Sequence, residues 1–310
     1  MVDVETFLIT LYVMVDDLCK CHHLAYRAHP GPQASLACSE VVTLALFGQW
    51  ARFQSERDFY RYAQRQLRWA FPALPDRSQF NRQQHQLQQV IARVSVLIAE
   101  ALPQARGRYE LLDSSGVPVR HIKRRGGGWL AGTANKGWCS RISSYMGFHL
   151  LCAITPQGVI TGFGFAPAST HDVPLAETLL ALRACPCPGL PSCGRWAAVP
   201  YVADRGFAGE AVAARWRESY GAEMITPPHH QRVWPWWSDD WRRWLSGLRQ
   251  VIESVYQCLH NVFRLARERP HALAGFQARL AAKVGLHNFC CWLNSFLQRD
   301  LMAFADLLDW

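Results

Sequence analysis

The hydrophobic periodicity of the chain changes after Gly107, from helical spacing to short apolar runs that alternate with helical stretches. Residues 1–107 carry long apolar stripes at helical spacing and predict an all-helical region. In residues 108–299, turn residues bound the apolar runs, and the predicted order is β-β-β-α-β-α-β-α. This order predicts an α/β domain, with residues 300–310 as a C-terminal tail.

Helix starts in the first region are indicated by capping residues. An apolar stripe runs from Val4 to Leu18, and we expect Ser39 to cap a second helix. Ser55 and Asp76 begin motifs with the shape of a capping box, and the helix after Asp76 is expected to continue toward Leu102. Two interpretations of this region stay open: a DNA-binding module, or a helical bundle that packs on the next domain.

The elements predicted after Gly107 are short and closely spaced. In order, they are Arg108 to Asp113, Ser144 to Thr155, Gly158 to Ala166, Pro174 to Arg183, Ala198 to Ala203, Glu210 to Tyr220, Glu223 to Thr226 and Leu248 to Leu265. The second and third strands form a predicted hairpin, and the last element is a strongly amphipathic helix.

Composition narrows the class of protein and of partner. The 310 residues include 33 Lys and Arg against 24 Asp and Glu, a formal charge of +9, and half of them are hydrophobic. So much apolar surface excludes a disordered protein, and the positive excess favours a polyanionic partner, nucleic acid before an anionic membrane. No segment predicts a membrane span or an export signal, and the irregularly spaced cysteines predict free thiols in a reducing cytoplasm.

Three acidic residues lie where a divalent-cation site can be built. Asp113 ends the first predicted strand, Asp204 ends the fourth, and Glu253 lies in the last helix at the border of its apolar stripe. Carboxylate oxygens suit Mg²⁺ or Mn²⁺. Two such ions roughly 3.5–4 Å apart can activate a hydroxyl and stabilise the leaving oxygen of an in-line displacement.

Each acid alone also has a structural explanation. Asp113 or Asp204 could cap a turn, and Glu253 could pair with Arg249 at helical spacing. The three together, each at its expected element, favour a metal site.

Several blocks of the sequence follow one another in the order of a known family. They are Leu111-Leu112-Asp113-Ser114, Tyr145-Met146-Gly147-Phe148-His149-Leu150, Thr170-His171-Asp172-Val173, Ala203-Asp204-Arg205-Gly206-Phe207, Arg249-Gln250-Val251-Ile252-Glu253 and the stretch from Phe276 to Lys283 with His287-Asn288. With these blocks the chain resembles the DDE transposases of bacterial insertion sequences, most closely the family named for insertion sequence 982.

The resemblance implies a ribonuclease-H-like mixed sheet flanked by helices in residues 108–299, after a DNA-binding helical region in 1–107. It also implies a transposase that cuts at transposon ends and joins the exposed 3′-hydroxyl to target DNA. In that mechanism Asp113 and Asp204 share one Mg²⁺ or Mn²⁺, and Asp113 and Glu253 hold the second. The expected partners are the terminal inverted repeats, target DNA and a second copy of the chain, in the nucleoid of a bacterial cytoplasm.

Two alternatives to a transposase stay open. One is a nuclease of the same fold that cuts without strand transfer. The other is a catalytically silent DNA-binding protein derived from a transposase.

Basic residues indicate a path for DNA. Between Ser114 and His171 there is no Asp or Glu, and a Lys-Arg-Arg run is followed by three glycines. Such a run can bind phosphates, although basic runs also form solvated faces. The predicted DNA contacts are Lys123, Arg124, Arg125, Lys136, Arg141, Arg249, His260 and Arg264.

His260 departs from the family pattern. Related transposases often carry a Lys seven residues after the catalytic Glu, and His260 occupies that position after Glu253. A His there could contact a DNA phosphate when protonated, or pack neutral at the edge of the apolar stripe.

Three further features have two interpretations each. Trp234, Trp236, Trp237, Trp241 and Trp244 could stack unpaired bases or fill an apolar patch. The Cys and His residues of 19–23 and the cysteines of 185–193 could suggest zinc, although they lack paired ligand spacing. The His171-Asp172 pair could touch the active site, or Asp172 could cap the following helix.

Overall fold

The computed structural model describes residues 1–26, 33–105, 107–124, 127–139, 142–184, 199–227 and 238–310. Its contacts divide the chain into two units. The first comprises residues 1–98, 259–265 and 270–310, and the second comprises residues 99–258 and 266–269. Within the described residues, no helix is long and apolar enough to cross a membrane.

The described elements alternate in type only after residue 107. The helices are α1 Val4–Cys21, α2 Cys38–Phe47, α3 Glu56–Gln66, α4 Arg77–Gln86, α5 Gln88–Glu100, α6 Asp172–Ala184, α7 Glu210–Tyr220, α8 Asp239–Gln257 and α9 Leu273–Phe296. The strands are β1 Val2–Asp3, β2 Glu110–Arg120, β3 Asn135–Cys139, β4 Ser143–Ile154, β5 Ile160–Pro167, β6 Tyr201–Ala203, β7 Met224–Ile225 and β8 Leu308–Asp309.

The caps of the first helices are partly those that the sequence predicts. Ser55 accepts a hydrogen bond from the backbone N–H of Asp58, and the Asp76 carboxylate accepts two from the first turn of α4. The expectation for Ser39 is wrong, because α2 already begins at Cys38 after Ala37. The predicted helix toward Leu102 is two helices, since Leu87 leaves the helical conformation between α4 and α5.

Helix α9 is largely buried within the first unit. Asn288 donates to the backbone oxygen of Ser95 at 3.0 Å, and Lys283 donates to Gln49 at 2.5 Å. Gly285 lets α5 approach closely, since a Cβ at that position would lie 2.6 Å from Ser95 Oγ. In the first unit, α9 and residues 300–310 group with the N-terminal helices. The predicted domain boundaries at residues 107 and 299 stay a prediction.

The second unit is built on a mixed sheet. Its strand order is β3-β4-β2-β6-β7, and β5 also pairs with β4. Strand β4 pairs antiparallel with β2, β3 and β5. Strand β6 pairs parallel with β2 on one side and with β7 on the other. With α6 between β5 and β6, and α7 between β6 and β7, this confirms the predicted ribonuclease-H-like fold class after an N-terminal helical region.

Helices cover both faces of this sheet. Leu112, Leu151 and Ala203 pack in one apolar cluster with residues of α6 and α7. On α8, Tyr256 is buried and its Oη donates to the backbone carbonyl of Asp113 at 2.6 Å. The hydroxyl also lies 3.1 Å from the carbonyl oxygen of Leu150, so one side chain joins α8 to two adjacent strands.

Two element ends differ from the prediction. Strand β2 continues past Asp113 to Arg120, because its second half pairs with β4 even though its apolar pattern is interrupted. The predicted helix Leu248 to Leu265 begins earlier, at Asp239, and leaves α-helical geometry after Gln257 in a π-helical turn, Cys258–Val262.

Candidate active site

Asp113 and Asp204 emerge from neighbouring parallel strands at the same level. Leu112 and Ala203 are register partners of β2 and β6, and the two aspartates are the next residues along each chain. Leu112 and Ala203 belong to the cluster under α6 and α7, so the alternation of side chains turns Asp113 toward the opposite face. There it lies in a cleft with residues of α8.

The Asp113 carboxyl group is held in an unusual electrostatic environment. Its pKa is raised to about 7, chiefly by burial and in addition by the negative charges of Asp204 and Asp172. A hydrogen bond from the Ser114 backbone and the charge of Arg249 lower the pKa without cancelling the rise. A cation that binds beside this carboxyl group would therefore stabilise its ionised form.

Glu253 lines the same cleft from helix α8. The cleft has a volume of about 640 Å³, and its walls come from the first half of β2, from β6 and the residues after it, and from one side of α8. Arg249, one turn before Glu253, also lines it, and both side chains are exposed. All three predicted acids thus border one cleft of the second unit.

The acids fit a hard divalent cation by chemistry and by space. Carboxylate oxygens are the ligands that Mg²⁺ and Mn²⁺ prefer. Gly206 leaves open a space that a Cβ would fill, 3.0 Å from Asp204 Oδ1 and 3.6 Å from Asp172 Oδ2. The acidic side chains line the cleft without forming a coordination group. Among the described residues, no three or more His, Cys, Asp or Glu side chains are grouped closely enough to hold a metal ion.

Asp172 is an acid whose role the sequence analysis left open. It is the first residue of α6, and its Oδ1 accepts a hydrogen bond from Ser114 Oγ at 2.6 Å. His149 Nδ1 lies 3.9 Å from the same oxygen and 3.1 Å from the carbonyl oxygen of Thr170. The signal in the sequence was its place directly after a strand, in the block Thr170-His171-Asp172-Val173.

Most of the described DNA-contact candidates of the second unit are exposed. Lys123, Arg124, Lys136 and Arg249 are all exposed, and the Arg124 guanidinium lies 3.4 Å from the ring centroid of Trp129. Lys136 shares a face of β3 with Trp138, which is 67% exposed. Arg125 and Arg141 lie outside the described residues.

His260 and Arg264 do not share this exposure. Their exposed fractions are 7% and 8%, and Arg264 donates to the backbone oxygens of Phe53 and Gly48 within the first unit. The π-helical turn after Gln257 also breaks the regular spacing that would align His260 with Glu253. Burial argues against a phosphate contact for either residue, and their assignment to the DNA-contact set stays a prediction.

The tryptophan-rich and cysteine-rich segments are only partly described. Trp244 packs edge-on against Tyr109, with centroids 5.4 Å apart, and against Trp241 at 5.1 Å. This favours the packing interpretation for Trp244. Trp234, Trp236 and Trp237 and the cysteines of 185–193 lie outside the described residues, while Cys19 and Cys21 are free thiols.

Comparisons with known proteins identify the family of the chain. Residues 110–289 match the model of the family described as "Transposase DDE domain". No curated protein matches the chain. Among solved structures, the chain is similar to a Mos1 transposase paired-end complex with left transposon end, at 12% identity over 77% of this chain and 83% of that chain. The TM-score of 0.24 is too low for that likeness to bear on the site.

Proposed function

The chain belongs to the transposase DDE domain family, and on this premise we propose that it cuts DNA at transposon ends and joins the 3′-hydroxyl to target DNA. The observation that carries the proposal is the emergence of Asp113 and Asp204 from adjacent strands into a cleft that Glu253 also lines. The cleft lies inside the matched region.

The chain's own residues have distinct roles in this proposal. Asp113 and Asp204 hold one divalent cation, and Asp113 and Glu253 hold a second. Bound Mg²⁺ or Mn²⁺ supplies activation of the attacking hydroxyl and charge stabilisation at the leaving oxygen. Tyr256 fixes α8 against β2 through the Asp113 carbonyl and so sets where Glu253 faces the two aspartates.

Positive side chains near the cleft bind the DNA backbone. Arg249 lines the cleft and contacts a phosphate close to the acids. Lys123, Arg124 and Lys136 contact phosphates farther along the duplex, together with Arg125 and Arg141. Such contacts fix the position of the DNA without reading its sequence.

Strand-transfer assays test the proposal directly. A labelled duplex carrying one end of the element that encodes the chain is incubated with supercoiled plasmid and Mg²⁺. We expect joined products with the wild type and none with Asp113→Asn. Cleavage without joining would favour the nuclease alternative, and DNA binding without nicking would favour the silent derivative.

Finer assignments belong to the same proposal. The order of sequence blocks supports the insertion sequence 982 family, and processing of two ends supports a homodimer on the paired terminal repeats in the bacterial nucleoid. Light scattering of the complex with end DNA measures the number of copies. A single copy on two paired ends would contradict the dimer.

A further inference from the structure

Asp172 approaches Asp204 from an element that carries none of the three predicted acids. It is the first residue of α6, which follows β5, and its negative charge raises the pKa of Asp113. Its Oδ2 and Asp204 Oδ1 both lie within 4 Å of the position that a Cβ of Gly206 would occupy. Two aspartates from two elements therefore border one small space, and the charge of one of them also acts on Asp113.

Ser114 sets the orientation of the Asp172 carboxylate. The 2.6 Å hydrogen bond engages Oδ1, which leaves Oδ2 on the side of Asp204 and Gly206. Ser114 directly follows Asp113 on β2, so the strand that carries one acid also positions another. A hydrogen bond of this kind to a carboxylate oxygen is typical of the residues that orient metal ligands.

We infer that Asp172 is a fourth carboxylate of the divalent-cation site, oriented by Ser114, and that Gly206 keeps open the space beside it. The inference rests on the proposed function, because the cation is the one that Asp113 and Asp204 hold there. It adds a ligand that the three-acid pattern does not contain.

A purely structural role for Asp172 makes a different prediction. An acid in the first turn of α6 stabilises the helix through its partial positive charge at the N-terminus. In that case loss of the charge lowers stability and leaves cation affinity unchanged. His149 Nδ1 lies 3.9 Å from Asp172 Oδ1 in both interpretations.

Mn²⁺ binding by the full-length protein separates the two roles without an activity assay. The electron paramagnetic resonance signal of free Mn²⁺ is titrated with wild type, Asp172→Asn, Ser114→Ala and Gly206→Ala. Asp172→Asn keeps an acceptor for Ser114 and removes only the charge. Gly206→Ala keeps every carboxylate and fills the space between two of them. Glu218→Gln, which removes an exposed carboxylate of α7, is the matched control.

We expect Asp172→Asn to weaken Mn²⁺ binding about 100-fold and Ser114→Ala or Gly206→Ala about 10-fold, with Glu218→Gln unchanged. Wild-type affinity in Asp172→Asn, with binding lost in Asp113→Asn, would overturn the fourth ligand and leave the proposed function intact. No Mn²⁺ binding by wild type, or unchanged binding in Asp113→Asn, would overturn both. Unchanged binding in Ser114→Ala and Gly206→Ala would overturn the assigned orientation.

Discussion

Asp113 and Asp204 follow directly on the register partners Leu112 and Ala203, so two acids 91 positions apart in the chain leave the sheet side by side. Parallel pairing of β2 with β6 ends at that pair, whereas β2 continues against β4. The backbone of the sheet thereby fixes the spacing of the aspartates, and only their side chains need to adjust to a ligand.

The raised pKa of Asp113 predicts a pH-dependent stability. Its pKa is about 7 in the folded protein and about 3.9 in an unfolded chain. Between these values the native state keeps a proton that the unfolded state has lost, so the free energy of unfolding falls as pH rises from about 4 to about 7, by at most about 4 kcal/mol. Asp113→Asn should lose this contribution to the slope.

Denaturant unfolding of the cation-free proteins at several pH values measures the effect. Other carboxyl groups titrate in the same window, so the informative quantity is the difference between wild type and Asp113→Asn. The variant should become the more stable protein near pH 7. Equal slopes for both proteins would mean that Asp113 is not desolvated in solution.

The Tyr256 hydroxyl predicts a coupling between stability and the site. Tyr256→Phe leaves the carbonyls of Asp113 and Leu150 without this donor and should cost about 1–2 kcal/mol. Because α8 also carries Glu253, strand-transfer activity should fall by more than the small loss of folded protein explains. Tyr220→Phe, on α7, is a control for removal of a tyrosine hydroxyl. Full activity of Tyr256→Phe would remove the positioning role.

The sequence was sufficient for the local part of this architecture. Apolar runs leading into Asp113 and Asp204 indicated the two strands that carry these acids, and the apolar stripe of α8 placed Glu253 on a helix border. The continuation of β2 was missed because Ser114, Ser115 and Gly116 interrupt the apolar pattern. Their backbone is stabilised by β4, a partner that local sequence does not specify.

Contacts between distant segments account for what the sequence did not indicate. Ser114 and Asp172 are 58 residues apart, and the sequence around each of them does not indicate the hydrogen bond between them. The sequence pattern predicts a regular α-helix through Cys258–Val262, and this α-helical spacing would align His260 with Glu253. The chain instead forms a π-helical turn there, which removes that alignment. The packing of α9 with the N-terminal helices likewise depends on tertiary contacts such as the one from Asn288.

A buried ion pair joins Glu110 of β2 to Arg183 of α6, and we expect its disruption to lower stability strongly. Arg183 donates to Glu110 and to Tyr201, and Thr161 donates to Glu110 at 2.6 Å. Both members of the ion pair are almost fully buried. Glu110→Ala leaves the guanidinium without its anion and should cost about 3–5 kcal/mol in unfolding experiments.

An exposed ion pair of the same unit is the matched control. Asp240 and Arg243 lie 3.6 Å apart with both side chains mostly in solvent. Asp240→Ala should cost less than about 1 kcal/mol. The double variant Glu110→Leu with Arg183→Met should recover much of the loss, and a failure to recover would point to packing and not to the buried charge.

The exposed basic residues before β3 predict a change in salt dependence. Lys123→Ala with Arg124→Ala should weaken binding to unrelated duplexes alike and reduce the slope of log affinity against log salt by about 2. Arg215→Ala with Arg217→Ala, on α7, removes the same charge elsewhere and should leave the slope unchanged. Equal slopes for wild type and the first variant would assign Lys123 and Arg124 to a solvated face.

Burial of His260 predicts that a Lys at this position is harmful. The side chain is 7% exposed, so His260→Lys places a cation in a site from which water is largely excluded and should cost about 2 kcal/mol or more of stability. Asn261→Lys adds the same charge at the next, exposed position and should cost far less. A phosphate contact predicts the opposite pattern: wild-type DNA binding would strengthen from about pH 8 to 6, and His260→Lys would abolish that dependence. Parallel pH curves with a lowered unfolding midpoint for His260→Lys alone would support the buried, neutral role. A stable variant with stronger, pH-independent binding would keep His260 in the DNA-contact set.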